Sequence, residues 1–173
     1  ELKRVKETQL AHLAGAFDEA GNISVNIAKL DNRKIGYEFR PVVRHNHKYD
    51  DRDDPLVEKI MVYCDEYGVR GNIIDLEEQS KSTVEVHRLE IKAVDGIERF
   101  LKPILPYLVS EYENAMTMME GIIPRVRDDQ HLEREGFYEL MGYVDRLRKY
   151  DPKIKYTQEY FAEEWEDELS VVQ

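Results

Sequence analysis

Leu10, Leu13, Ala14 and Phe17, with Ala11 beside them, fall at the i, i+3, i+4, i+7 spacing of one helical face, which predicts a first helix near residues 6–19. Gly21 and Asn22 stop it. Ile23, Val25 and Ile27 then alternate with Ser24, Asn26 and Ala28, the period of a strand with one buried face. The turn Asp31-Asn32-Arg33-Lys34 leads to a return strand from Tyr37 to His47, and Pro41 within that strand points to an edge or a bulge. Asp50-Asp51-Arg52-Asp53-Asp54 groups acids as a metal site would, but it reads better as a helix start, with Asp54 as N-cap and Pro55 at N1. Leu56, Val57, Ile60, Tyr63, Cys64 and Tyr67 form the apolar face of that helix, and Gly68 ends it. A second hairpin is expected from Val69–Leu76 and Thr83–Lys92, joined by the polar stretch Glu77–Ser82.

The remainder reads as helical. Asp95 to Lys102 is a short helix stopped by Pro103 and Pro106. Leu108, Tyr112, Ala115, Met119 and Ile122 form one stripe, and Phe137, Leu140, Met141, Val144 and Leu147 form another. Met116, Met118 and Met119 are expected as core filler. A last helix capped by Thr157 carries Phe161 and Trp165. The class is α+β, in the order α-β-β-α-β-β-α followed by further helices, with no internal repeat. The chain is expected to be one domain over 1–173, with a core at about 6–125 and a helical extension over 126–173.

Composition narrows the setting. The 173 residues suffice to bury a core. No run approaches the ~20 apolar residues of a membrane span, and the charged start is unlike a signal peptide, so an intracellular, cytoplasmic setting without membrane contact is expected. Cys64 is the only cysteine and is expected to be a small buried side chain. The net charge of −11, from 25 basic and 36 acidic residues, argues by itself against nucleic acid. Its distribution leaves two readings, ordinary patchiness or a basic binding segment embedded in an acidic body. Between Asn22 and Lys48 six cations (Lys29, Arg33, Lys34, Arg40, Arg44, Lys48) stand against two anions (Asp31, Glu38), with His45 and His47 in addition. From Thr157 onward there are six acids and no cation.

Residues Leu13-Ala14-Gly15-Ala16-Phe17-Asp18-Glu19-Ala20-Gly21 resemble the nine-residue motif of the LAGLIDADG homing endonucleases. The setting agrees, since the motif closes a first helix, a strand follows at once, and α-β-β-α-β-β-α is that family's order. The resemblance covers residues 8 to about 125. It implies a chain that supplies one motif helix and obtains the second from another copy, giving a homodimer on double-stranded DNA with a long, near-palindromic site. Ala11, Leu13, Ala14, Gly15 and Phe17 would then lie at the dimer interface. The small residues Ala11 and Gly15, four apart, suit close approach of two helices, although such a face could also pack on the chain's own sheet.

The resemblance also implies that the sheet lies along the major groove. The candidate DNA-binding residues are Ser24, Asn26, Ala28, Lys29, Arg33, Lys34, Arg40, Arg44, Asn46, His47, Lys48, Arg70, Asn72 and Arg88. Arginine suits guanine and phosphate, and asparagine suits adenine. Cleavage in the family uses Mg²⁺ held by an acidic eighth motif position. Here that position is Ala20, flanked by Glu19 and Asp18. Three explanations stand: a natural member that only binds DNA, a variant inactivated to trap a complex, or a metal-ligand role transferred to Glu19. The basic residue usual near the family's active site is also missing, with Ser110 and Glu111 in the helix after Pro106. His45-Asn46-His47 spells a different nuclease class but lacks its dispersed pattern, and two such histidines suit polar surface. The expected function is a site-specific DNA endonuclease impaired at Ala20. The alternatives are a non-cleaving DNA-binding regulator or RNA maturase on the same fold, and an acidic protein-interaction module.

Overall fold

The computed structural model describes residues 2–48, 55–76, 86–148 and 153–169, except for the side chains of residues 2, 5, 47, 48, 55, 72–76, 86 and 87. The first elements are α1 (Leu2–Ala20), β1 (Gly21–Lys29), β2 (Tyr37–Lys48), α2 (Pro55–Glu66), β3 (Asn72–Leu76) and β4 (Val86–Ile91). They are followed by α3 (Val94–Ile104), α4 (Tyr112–Met116), α5 (Ile123–Arg127), α6 (Arg134–Leu147), α7 (Gln158–Glu164) and α8 (Glu166–Leu169). The α-β-β-α-β-β-α order expected from periodicity is the observed one, with α1 beginning four residues earlier than expected. Four strands hydrogen-bond in the order β1-β2-β4-β3. β4 pairs antiparallel with both neighbours: Val43 faces Ile91 and Arg44 faces Glu90 on one side, and Asn72 faces Glu90 on the other.

The chain divides into two compact units, one of Glu1–Ile23 with Val42–Glu113 and the other of Ser24–Pro41 with Asn114–Gln173. In the first, Leu13, Ala14 and Phe17 of α1 are buried among Val42, Val43, Leu89, Ile91, Ile97, Phe100 and Leu101. The Phe17 ring lies 5.7 Å from Phe100 and 6.0 Å from His45. Ile60, Tyr63 and Cys64 are the buried residues of α2, and the Tyr63 hydroxyl donates to the Phe100 carbonyl at 2.6 Å. Gly68 ends α2 as expected: at φ 66° its N–H donates to the Asp65 carbonyl, while Val69 N–H donates to Cys64 at 2.7 Å. Asp54, assigned as the cap of this helix, lies outside the described residues, as do the acids of 50–53 and the Glu77–Ser82 connection.

The second unit is aromatic. Tyr37, Phe39, Phe137, Phe161 and Trp165 are buried together, with Tyr37 edge-on to Phe161 at 4.9 Å. The Tyr37 hydroxyl donates to the Glu164 carboxylate at 2.6 and 2.8 Å. Burial, first, and that carboxylate, second, hold the phenol protonated. Thr157 caps α7 as expected, its Oγ1 accepting from Tyr160 N–H at 3.1 Å. All five residues of the Phe137–Leu147 stripe are buried.

Four expectations need correction. Pro103 does not stop α3 but occupies its last turn, where the missing N–H removes only the bond to the Arg99 carbonyl. Of the Leu108–Ile122 stripe, Leu108, Ala115 and Ile122 are buried as expected, whereas Tyr112 is 38 % exposed and Met119 half-buried; residues Thr117–Ile122 form a π-helical turn. Met118, expected as core filler, is fully buried. Pro41 lies in an interior strand and not at an edge; the β2–β4 register begins only at Val43, past the residue that has no N–H to give. Val69 to Gly71 precede β3 instead of opening it, with Val69 committed to the helix end.

Candidate nucleic-acid interface

The motif residues fall into two sets. Leu13 (8 % exposed), Ala14 and Phe17 (both 0 %) face the core of their own unit, so their side chains are already occupied, a correction to their expected place at a dimer interface. Ala11 and Gly15 are exposed, and a Cβ built on Gly15 would meet nothing within 4 Å. Helical geometry puts Gly15 about 200° from Phe17, opposite the buried face, in an exposed row with Arg4, Thr8 and Glu19. Gly21, the last motif residue, is required within the chain, because a Cβ there would stand 2.5 Å from the Phe17 carbonyl oxygen.

The end of α1 carries the acids. Asp18 is half-buried, and its carboxylate accepts from Val109 N–H at 2.8 Å, Ser110 Oγ at 3.1 Å and Glu111 N–H at 2.9 Å. Ser110 and Glu111, the residues found in place of a basic one, are thus the residues whose backbone and hydroxyl hold Asp18. The carboxylate thus gathers two backbone N–H groups and a hydroxyl of the Val109–Glu111 segment that leads into α4 at Tyr112. Glu19 is exposed and Ala20 half-buried. Among the described residues no group of three or more His, Cys, Asp or Glu side chains is gathered to hold a metal ion. Ala20 has no oxygen to offer and the Asp18 oxygens are engaged, which leaves Glu19 as the one outward carboxylate at this helix end. That donor set does not by itself fit Mg²⁺, which takes near-octahedral oxygen coordination.

The candidate reading residues are mostly at the surface. On β1, Asn26, Ala28 and Lys29 are exposed, and Ser24 is half-buried with its Oγ shielded from solvent. At the hairpin turn Arg33 and Arg40 both donate to Glu38 Oε1, at 3.0 and 2.9 Å, and Lys34 pairs with Glu133. Glu38 thus offsets part of the basic surplus read from the sequence. On β2 the alternation is clear: Val43 and His45 are buried, while Arg44 is half-buried and Asn46 exposed on the opposite face. Arg44 Nε donates to Glu90 Oε2 at 2.7 Å, and Arg88 Nε donates to Asn46 Oδ1 at 2.9 Å. Lys92 pairs with the other Glu90 oxygen at 2.8 Å. Lys92 and Arg44, in that order, hold the Glu90 carboxyl below its ordinary value against the opposing effect of burial. Arg70 is exposed. His47, Lys48 and Asn72 keep their strand positions, but their side chains lie outside the described residues.

Glu90 was missed in the sequence because a carboxylate argues against a phosphate surface. The strand alternation did place it on the face of Arg88, and only the β2–β4 register sets it opposite Arg44. Among the described residues no helix is long and apolar enough to cross a membrane.

No family model matches the sequence, and no curated protein matches it. Solved structures do. The chain is similar to the homing endonuclease I-CvuI, solved with the I-CreI target in the presence of 2 mM Mg and the DNA not cleaved, at 16 % identity and a TM-score of 0.70. That match covers 94 % of this chain and 95 % of the other. The archaeal intron-encoded homing endonuclease I-Vdi141I, complexed with DNA, matches at 15 % identity, TM-score 0.70, over 92 % of this chain and 98 % of its own. The I-SmaMI LAGLIDADG homing endonuclease, bound to cleaved DNA, matches at 16 % identity and TM-score 0.66 over 92 % of this chain but 48 % of its own length. The motif at the end of α1, the α-β-β-α-β-β-α order and these near full-length superpositions agree: the chain has the fold of the LAGLIDADG homing endonucleases.

Proposed function

We propose that this chain recognises a long, near-palindromic double-stranded DNA site as a homodimer, and that strand cleavage is severely impaired by Ala20. The observation that carries the proposal is the exposed Ala11–Gly15 row, at whose end the motif acids stand. Glycine inside a helix costs about 0.5–1 kcal/mol relative to alanine. Among the described residues nothing requires Gly15 to lack a side chain, so a close-packed helix from a second copy supplies the reason. The solvent face of the sheet, with Arg44, Asn46 and Arg88, suits the major groove. The solved neighbours I-CvuI and I-Vdi141I are DNA complexes of near-equal length to this chain, which supports the same use here.

The non-cleaving reading is favoured by the acids themselves. A divalent metal would supply Lewis-acid activation of water and stabilisation of the leaving oxygen. Ala20 lacks the ligand, Asp18 holds the α4 approach, and Glu19 alone does not complete the set. A regulator or maturase that binds without cutting is therefore the second reading.

The test is selection of bound sequences from a random duplex pool at moderate salt, followed by nicking assays with Mg²⁺ on the enriched site for wild type and Ala20→Asp. A two-fold-symmetric site with little cutting by wild type and restored cutting by Ala20→Asp is the expected result. No enrichment at any salt concentration overturns the DNA reading, and efficient cutting by wild type overturns the impairment.

A further inference from the structure

Two arginines on the solvent face of the β2–β4 ladder are held in the same manner. Arg44 is in register with Glu90 and donates to it through Nε at 2.7 Å. Arg88 is in register with Asn46 and donates to it through Nε at 2.9 Å. Each of these bonds leaves the two Nη nitrogens of the guanidinium outside it. The acceptors are committed. Glu90 is only 7 % exposed and already receives Arg44 on one oxygen and Lys92 on the other, at 2.7 and 2.8 Å. The amide oxygen of Asn46, which would otherwise orient this residue toward adenine, is occupied by Arg88.

We infer that Arg44 and Arg88 are the base readers of this face, and that Glu90 and Asn46 are positioning residues that aim them at guanine O6 and N7. The inference deepens the DNA reading proposed above and rests on it. An arginine restrained through Nε loses less rotamer freedom when its Nη edge meets a bidentate acceptor, so the tether favours guanine recognition over loose phosphate attraction. The two rungs lie two residues apart along an antiparallel strand, about 6.8 Å. Base pairs stack every ~3.4 Å, so the two guanines should stand about two steps apart in each half-site. The surface so formed has three cations (Arg44, Arg88, Lys92) and one anion (Glu90), net positive in an acidic chain.

The experiment is parallel selection from a random duplex pool with wild type, Glu90→Ala, Glu90→Gln, Asn46→Ala and Arg44→Lys, each first checked for a native thermal transition. Wild type should enrich two guanines about two steps apart. Glu90→Ala and Asn46→Ala should each lose about tenfold preference at one of the two and leave the other intact. Glu90→Gln, which retains an acceptor for Arg44 Nε, should recover most of the preference. Arg44→Lys should keep the salt dependence and lose the guanine. If Glu90 is merely an anion near phosphate, both Glu90 variants will tighten binding to all sequences with preferences unchanged, and the inference is overturned. An adenine preference that disappears in Asn46→Ala overturns it for the second pair. A wild type that enriches nothing overturns the DNA reading as a whole, whereas enrichment indifferent to all four substitutions overturns this inference alone. Should Glu90→Ala fail to fold, Glu90→Gln against Arg44→Lys still decides: conservation of the guanine in the first and its loss in the second is the required pair.

Discussion

Single side chains do different work here from what their chemical type suggests. Asp18 is an acid in a nuclease-like motif, yet its oxygens hold two backbone N–H groups and a hydroxyl 91–93 residues away in sequence. Replacing it by Ala should cost about 1–2 kcal/mol in urea unfolding, as for a lost helix cap with its orphaned donors. Glu90 shows how charge couples to pH. Its carboxyl is lowered below 4.5 by Lys92 and Arg44, so it adds stability above that value and loses it as pH falls through the lowered one. Wild type should therefore be more stable than Glu90→Gln near neutrality, and the gap should close as the pH is taken well below 4.5. A gap independent of pH would show that the ion pairs contribute nothing. Cys64 is 9 % exposed and burial pushes its thiol up to about 11, so native protein should resist maleimide that labels it promptly in denaturant.

Elements report where periodicity is and is not a sufficient guide. Met118 is fully buried and Met119 only partly, although both were expected as core filler and only Met119 lay on the expected stripe. Met118→Ala should cost about 2–5 kcal/mol, with Met119→Ala markedly less, and equal losses would argue against their unequal burial. The Phe137–Leu147 stripe was legible throughout because α6 is one uninterrupted α-helix, whereas the Leu108–Ile122 stripe was legible only at Leu108, Ala115 and Ile122, in a stretch that changes from coil to α-helix to π-helix. Thr157 was legible as a cap because capping is local, three residues from donor to acceptor. The Asp18 contacts and the Arg44–Glu90 rung were not, since both depend on strand or helix placements many residues apart. The surface positions of Asn26, Ala28 and Arg44 followed from alternation alone, but whether an exposed cation is free for a ligand did not: Glu38 takes up Arg33 and Arg40.

At the scale of the whole molecule, the proposed function requires an acidic chain to approach a polyanion. Two copies carry twice −11, so long-range attraction to DNA cannot come from the net charge. It has to come from a local face, and at the distances of groove contact, inside a Debye length of ~8 Å at physiological salt, the local face dominates. Binding should therefore be confined to salt concentrations low enough for the few unneutralised cations to act, with a shallower slope than a uniformly basic DNA-binding protein shows. In the proposed homodimer the second copy would multiply a weak half-site contact. Gly15 is the position that separates this from folding. A Cβ there meets nothing within 4 Å among the described residues and the position is exposed, so Gly15→Gln should leave thermal stability unchanged or raise it slightly. The same change should separate the two motif helices, so sedimentation should show wild type as a dimer and the variant as a monomer. Half-site affinity would survive in the monomer while two-fold-symmetric enrichment collapses. A Gly15→Gln protein that remains dimeric would place the partner elsewhere than along the Ala11–Gly15 row, and with it the pairing of the two motif ends.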